Sequence, residues 1–349
     1  MKLTLLLPNL LSNRLNTSNP TLEVMKECDL TGFICLLSKS NKVENLPNNF
    51  EDTLKRHFIG LEAGEVPAGA LTALSRGLTR PLCPRIWMRA DPVTIRQDGA
   101  SFFLLSNAHL SLSPSELEFI QSPVATLVDH TPGMKFVGID ARAGLIQFDE
   151  MPDIITNPIY EALGKDIIDF LPSGPSQGSI HRLFTEIQMV LKGAISNEAM
   201  TSKNEVNAYW LWGLGVLPQA LDISFDTVAC QDSVIAGLCS LTSASLIKNV
   251  LNYAEWKNQL VDRPKDAKHL IVVTDFLDRD LTDLNYWQSK LCYYEKNWFS
   301  PLLSAFEEGE IEEISFEFSE GNAYVVQRNP KRLFWRSKSP IHKLINAEN

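Results

Sequence analysis

Residues 269–278 read HLIVVTDFLD, and no other stretch constrains the fold as much. Four consecutive apolar residues, Leu270 to Val273, show no polar alternation. A strand with that pattern is buried on both faces and belongs to a parallel sheet covered by helices. The run closes on acids, Asp275, Asp278, Asp280 and Asp283, at the strand end where open α/β sheets carry their sites. Residues 2–7 and GFICLLS, residues 32–38, read as further short apolar strands, with TLEVMKEC between them as a helix. A second helix is expected over 49–58, capped by Asn48 or Asn49.

The middle of the chain has a different texture. Asp98-Gly99 lies between strand-like segments and predicts a hairpin. Ser113-Pro114-Ser115-Glu116 has the composition of a helix start. Residues 135–148 suggest two strands paired around Arg142-Ala143-Gly144. In IHRLFTEIQMVLK, residues 180–192, Ile180, Leu183, Phe184, Ile187 and Val190 or Leu191 recur at helical spacing. NEVNAYWLWGLG, residues 204–215, is either a buried strand running into a turn or the lining of a site. After it come a short strand and two helices, the 270–273 strand, a long helix, and a closing hairpin turning at Glu320-Gly321. The last notable stretch, KRLFWRSKSP, is basic and aromatic.

The 349 residues carry a net charge of -10, which argues against a general nucleic-acid or anionic-membrane surface. No run approaches the roughly 20 apolar residues of a membrane span. MKLTLLLPNLLSNRL reads as a first strand rather than a signal peptide. The six cysteines have no metal or redox spacing, so free thiols and a cytoplasmic setting are expected. The histidines lack zinc-site spacing, and no Walker A loop, nucleophile elbow or dinucleotide fingerprint occurs.

Two sets of residues carry candidate chemistry. Asp275, Asp278 and Asp280 could ligate a divalent cation or serve as helix-capping acids. Arg89, Asp91 and Arg96 in MRADPVTIR could grip a phosphate or form an ion pair around a turn.

TEIQMVL, NEVNAYWLWGLG, MRADPVTIR and KRLFWRSKSP together resemble the bacterial RpfE-type regulatory proteins. That family is distantly similar to the archaeal-type cofactor-independent phosphoglycerate mutases of the alkaline phosphatase superfamily. The resemblance implies an alkaline phosphatase-like three-layer α/β domain, residues 1–85 and 205–349, interrupted by an inserted α+β segment, residues 86–204. The mutase reaction needs two divalent metals and an activated serine. Here the first strand ends in Pro8-Asn9 instead of an Asp-Gly ligand pair. VPAGALTALS places Gly69 at the nucleophile position, and DFLDRDLTD keeps Asp275 but has Arg279 where a histidine ligand belongs.

The resemblance therefore implies a pseudoenzyme with no resident cofactor, binding a small phosphorylated metabolite or a protein partner. Arg89, Asp91, Arg96, Asn207, Trp210, Trp212, Gly213 and Gly215 are the expected ligand-binding set. An active mutase or phosphatase using Mn or Zn at Asp275, Asp278 and Asp280 is the alternative. A structural module that makes its contact through Arg332, Phe334, Trp335 and Arg336 is a third reading.

Overall fold

The computed structural model describes residues 1–11, 29–62, 64–82, 85–105, 112–197, 206–260, 264, 266–277 and 284–328. The chain divides into two compact units. One comprises Met1–Ile59, Leu221–Leu277 and Leu281–Asn349; the other comprises Gly60–Ala220 with Asp278–Asp280.

The first unit opens with β1 (Lys2–Leu6), α1 (Thr31–Lys39), β2 (Asn41–Val43), α2 (Phe50–His57) and β3 (Phe58–Ile59). The second holds α3 (Ala68–Ser75), β4 (Ile86–Asp98), β5 (Ser101–Leu105), α4 (Pro114–Asp129), β6 (Met134–Asp140), β7 (Ala143–Phe148), α5 (Gln177–Asn197) and β8 (Ala208–Gly215). The chain returns to the first with β9 (Asp222–Ile223), β10 (Thr227–Ala229), α6 (Ser233–Cys239), β11 (Ser245–Ile247), α7 (Tyr253–Asn258), β12 (Lys268–Val272) and α8 (Leu284–Tyr294). A π-helical turn, Glu295–Phe299, leads into α9 (Ser300–Glu308), and β13 (Glu313–Glu317) and β14 (Ala323–Gln327) close the fold.

The first unit is a mixed α/β structure on a seven-stranded sheet, ordered β11-β10-β12-β1-β13-β14-β2. The first five of these run parallel, β14 lies antiparallel to β13, and β2 lies antiparallel to β14. Strand alternation sends Leu3, Leu5, Ile271, Ile314 and Phe316 into one apolar core, which they share with Phe33 of α1, Trp287 of α8 and Leu302 of α9. Leu6 and Leu270 point the other way and are also fully buried. Burial on both faces is what the unbroken apolar run at 270–273 requires.

GFICLLS, expected as a strand, is helix α1. Its buried residues Phe33, Leu36 and Leu37 stand at i, i+3 and i+4, one face of a helix, a pattern that a seven-residue apolar run leaves ambiguous. No side chain at its own N-cap satisfies the first amides. Glu295 does so from the π turn, accepting from Gly32 N at 2.8 Å, Phe33 N at 3.0 Å and Ser300 Oγ at 2.5 Å. A π turn widens the helix by one residue, and here it places this buried carboxylate where α1 starts.

The second unit is built on β4, whose 13 residues pair with β7, β8 and, beyond Val93, with β5. The 98–99 hairpin and the 142–144 strand pair form as the sequence predicts. Ser113 and Glu116 make a full capping box at α4. Asn49 caps α2 by accepting from Asp52 N.

Cys35, Cys230 and Cys239 are free thiols, but Cys292 is disulfide-bonded, which corrects the expectation of thiols throughout. Sequence spacing tests only local cysteine motifs, whereas a disulfide joins residues the fold brings together. Among the described residues no helix is long and apolar enough to cross a membrane.

Candidate functional site

The C-terminal edge of the parallel sheet in the first unit gathers two polar clusters. Asp275 stands just past β12. Its Oδ2 accepts from Lys290 Nζ at 2.5 Å and from Tyr294 Oη at 3.1 Å, both on α8, and Tyr286 Oη donates to its backbone carbonyl at 3.2 Å. The rings of Tyr286 and Tyr293 lie 5.5 and 5.9 Å from the ammonium. Burial works against charge on Lys290, but the hydrogen bond and charge of Asp275 outweigh it and raise its pKa. Burial, reinforced by the Asp275 charge, pushes the Tyr294 hydroxyl well up, so it remains a donor.

The second cluster escaped sequence reasoning. Glu317 ends β13 between Phe316 and Phe318, so its side chain leaves the opposite face of the sheet. Its Oε2 lies 2.8 Å from His57 Nε2 and also meets the Arg56 guanidinium, both at the end of α2. Burial opposes the Glu317 charge, yet the His57 hydrogen bond and the two positive charges hold its pKa below the usual range. Two residues with left-handed backbone sit beside it, Asn9 (φ 63°) and Ser319 (φ 59°), and Asn9 N donates to Phe318 O at 3.1 Å.

A depressed carboxyl stabilises the fold above its unfolded pKa of about 4.3 and loses that contribution as pH falls through the folded value. The stability gap between wild type and Glu317→Gln should therefore be full at pH 6 and shrink steadily below about pH 4. Urea melts across that range would measure it, and a gap independent of pH would contradict the ion-pair geometry.

The second unit contains the expected ligand-binding residues, and only part of that set converges. Arg89 Nε donates to Asp91 Oδ1 at 3.0 Å, and its guanidinium carbon lies 5.2 Å from the centre of the Trp212 ring. Trp212 Nε1 donates to Asp91 Oδ2 at 2.8 Å, and Arg89 also reaches Thr72 Oγ1 at 3.3 Å. All three are buried, with Arg89 at 8%, Asp91 at 2% and Trp212 at 5% exposure. Burial pushes the Asp91 carboxyl up, and Arg89 with Trp212 offsets this only in part.

The other members of the set stand apart from this trio. Arg96 is exposed and pairs with Phe103 across the β4–β5 hairpin. Asn207 extends the β4–β8 ladder with its side chain, accepting from Ile95 N at 2.7 Å and donating to Ile95 O at 2.8 Å. Trp210 Nε1 donates to Asn157 O at 2.9 Å while its ring meets Phe184 edge-on. Gly213 has φ 66°, and a Cβ there would lie 2.5 Å from Ala68 Cβ; Gly215 packs on Pro67. Gly213 N donates to Glu65 Oε1 at 2.6 Å and to Thr156 Oγ1 at 2.9 Å. Burial raises the Glu65 pKa. Glu65 and Thr156 carry no spacing signal that links them to Gly213.

Gly69 lies in α3 where that helix crosses β4. A Cβ built on it would stand 2.7 Å from Met88 Cα and N and from Trp87 C. The contact is backbone on backbone, so no side chain fits.

Asp278, Asp280 and the 331–340 segment fall outside the described residues. Among the described residues no three His, Cys, Asp or Glu side chains come together as a metal site. The Lys290 ammonium and the Tyr294 phenol both engage the same Asp275 oxygen, Oδ2.

No family model and no curated protein matches the sequence. Among solved structures, the chain is similar to the PH0037 protein from Pyrococcus horikoshii, with TM-score 0.53 and 11% identity over 98% of this chain and 91% of that one. It is also similar to a cofactor-independent phosphoglycerate mutase from Thermoplasma acidophilum, with TM-score 0.40 and 14% identity over 95% and 90%. The first likeness identifies a shared fold.

Proposed function

We propose that this chain is a phosphoglycerate mutase-like protein of alkaline phosphatase-like architecture that has lost catalysis and binds a small phosphorylated anion in a regulatory role. The observation that supports this reading is the contact at Gly69. In the phosphoglycerate mutases that the chain distantly resembles, the matching position carries the nucleophile, and here it is a glycine pressed onto the Met88 backbone. Without a nucleophile, the chemistry left to the fold is recognition.

Two measurements on the purified protein test it. With 3-phosphoglycerate or p-nitrophenyl phosphate, and Mn²⁺ or Zn²⁺ added, turnover should not rise above the buffer rate. Thermal melts should shift upward with 3-phosphoglycerate, since a ligand at ten times its Kd stabilises by about 1.4 kcal/mol. Turnover that disappears in Asp275→Ala would overturn the proposal. A melt indifferent to every phosphorylated compound would move the role to a protein partner instead.

A further inference from the structure

We infer that Lys290 is a built-in replacement for a divalent cation at Asp275, so that the strand-end site is complete without metal. Asp275 occupies the position past a central parallel strand where α/β sheets hold their ligands. A carboxylate beside a phenolic oxygen is an oxygen set that hard cations accept. Among the described residues, the Lys290 ammonium stands against it, 2.5 Å away.

Three features fix that ammonium in place. Lys290 and Tyr294 are one helical turn apart, so a single face of α8 delivers both to the same Asp275 oxygen. Tyr286 and Tyr293 present their rings to the ammonium, a cation–π setting that suits a monovalent ammonium better than a divalent ion that keeps its water shell. Directly after Tyr294, Glu295 is tied to the first amides of α1, which locks the rotation of α8 about its axis. A tethered cation is always present, and a metal would have to displace it and break the Tyr294 hydrogen bond as well. This inference stands apart from the proposed function: it is read by cation binding, the other by turnover and anion binding.

The test is a Mn²⁺ titration followed by thermal melts on full-length wild type, Lys290→Glu, Lys290→Met and Asp275→Asn. Wild type should show no saturable shift up to millimolar Mn²⁺. Lys290→Glu, which exchanges the ammonium for a second carboxylate, should melt lower without metal and regain at least about 3 °C with saturating Mn²⁺. Lys290→Met should gain a smaller Mn²⁺-dependent rise, and this variant decides the matter if Lys290→Glu does not fold. A saturable Mn²⁺ shift in wild type that Asp275→Asn removes would overturn the inference, as would indifference to Mn²⁺ in both Lys290 variants.

Discussion

Arg89→Ala should destabilise the second unit by about 4 kcal/mol, because removing one partner of a buried ion pair leaves the other charged and unpaired. Asp91 is 2% exposed, and burial already raises its pKa with Arg89 in place. Without the guanidinium only Trp212 Nε1 still donates to it among the bonds described above. The double variant Arg89→Met with Asp91→Asn should recover more than half of the loss, since the amide oxygen keeps the Trp212 bond and no charge is stranded. Denaturant melts of the three proteins measure this. A stable Arg89→Ala that has lost its response to 3-phosphoglycerate would instead make Arg89 the anion grip.

Gly69→Ser should cost about 3 kcal/mol and leave turnover at the buffer rate. The added Cβ meets backbone atoms of Met88 and Trp87, which cannot rotate away, so α3 would have to lift from β4. Gly69→Ala should be destabilised by nearly the same amount, because the clash comes from the Cβ and the hydroxyl contributes little. If both variants melt with wild type, the helix has room to move and the support for lost catalysis is withdrawn.

Much of the fold was legible because its signals are local. The unbroken run at 270–273, the Asp98-Gly99 turn and the helix start at Ser113–Glu116 each need only a few neighbouring residues, and each formed as read. GFICLLS misled because its helix is completed by Glu295, far along the chain. Ser245–Ile247 is a strand where only helices were expected after β10; three residues are too few to show a period.

The candidate sites were harder to read for the same reason. Asp275 was visible at the end of its strand, but Lys290, which decides its chemistry, lies on the next helix in an unremarkable WQSKLCYY stretch. Glu317 with His57 and Glu65 with Gly213 are meetings of residues from distant parts of the sequence. The Arg89–Asp91 pair was named from its spacing, which carries no information about burial. The same i, i+2 arrangement on an exposed strand would remain open to an anion.

The place of β1 in its sheet bears on how the chain must be made. Leu5 has Ile271 and Phe316 as its two neighbours in the sheet, so this central strand is completed only by residues far along the sequence. At roughly 5–20 residues per second, the wait for the first of them is on the order of 15–50 s. Throughout that interval the LTLLL segment, apolar but for Thr4, lacks both of its native sheet neighbours. Contacts of such long sequence separation also slow folding once synthesis is complete. The parallel sheet of the first unit therefore closes late in synthesis, once the residues of β12 and β13 have been made.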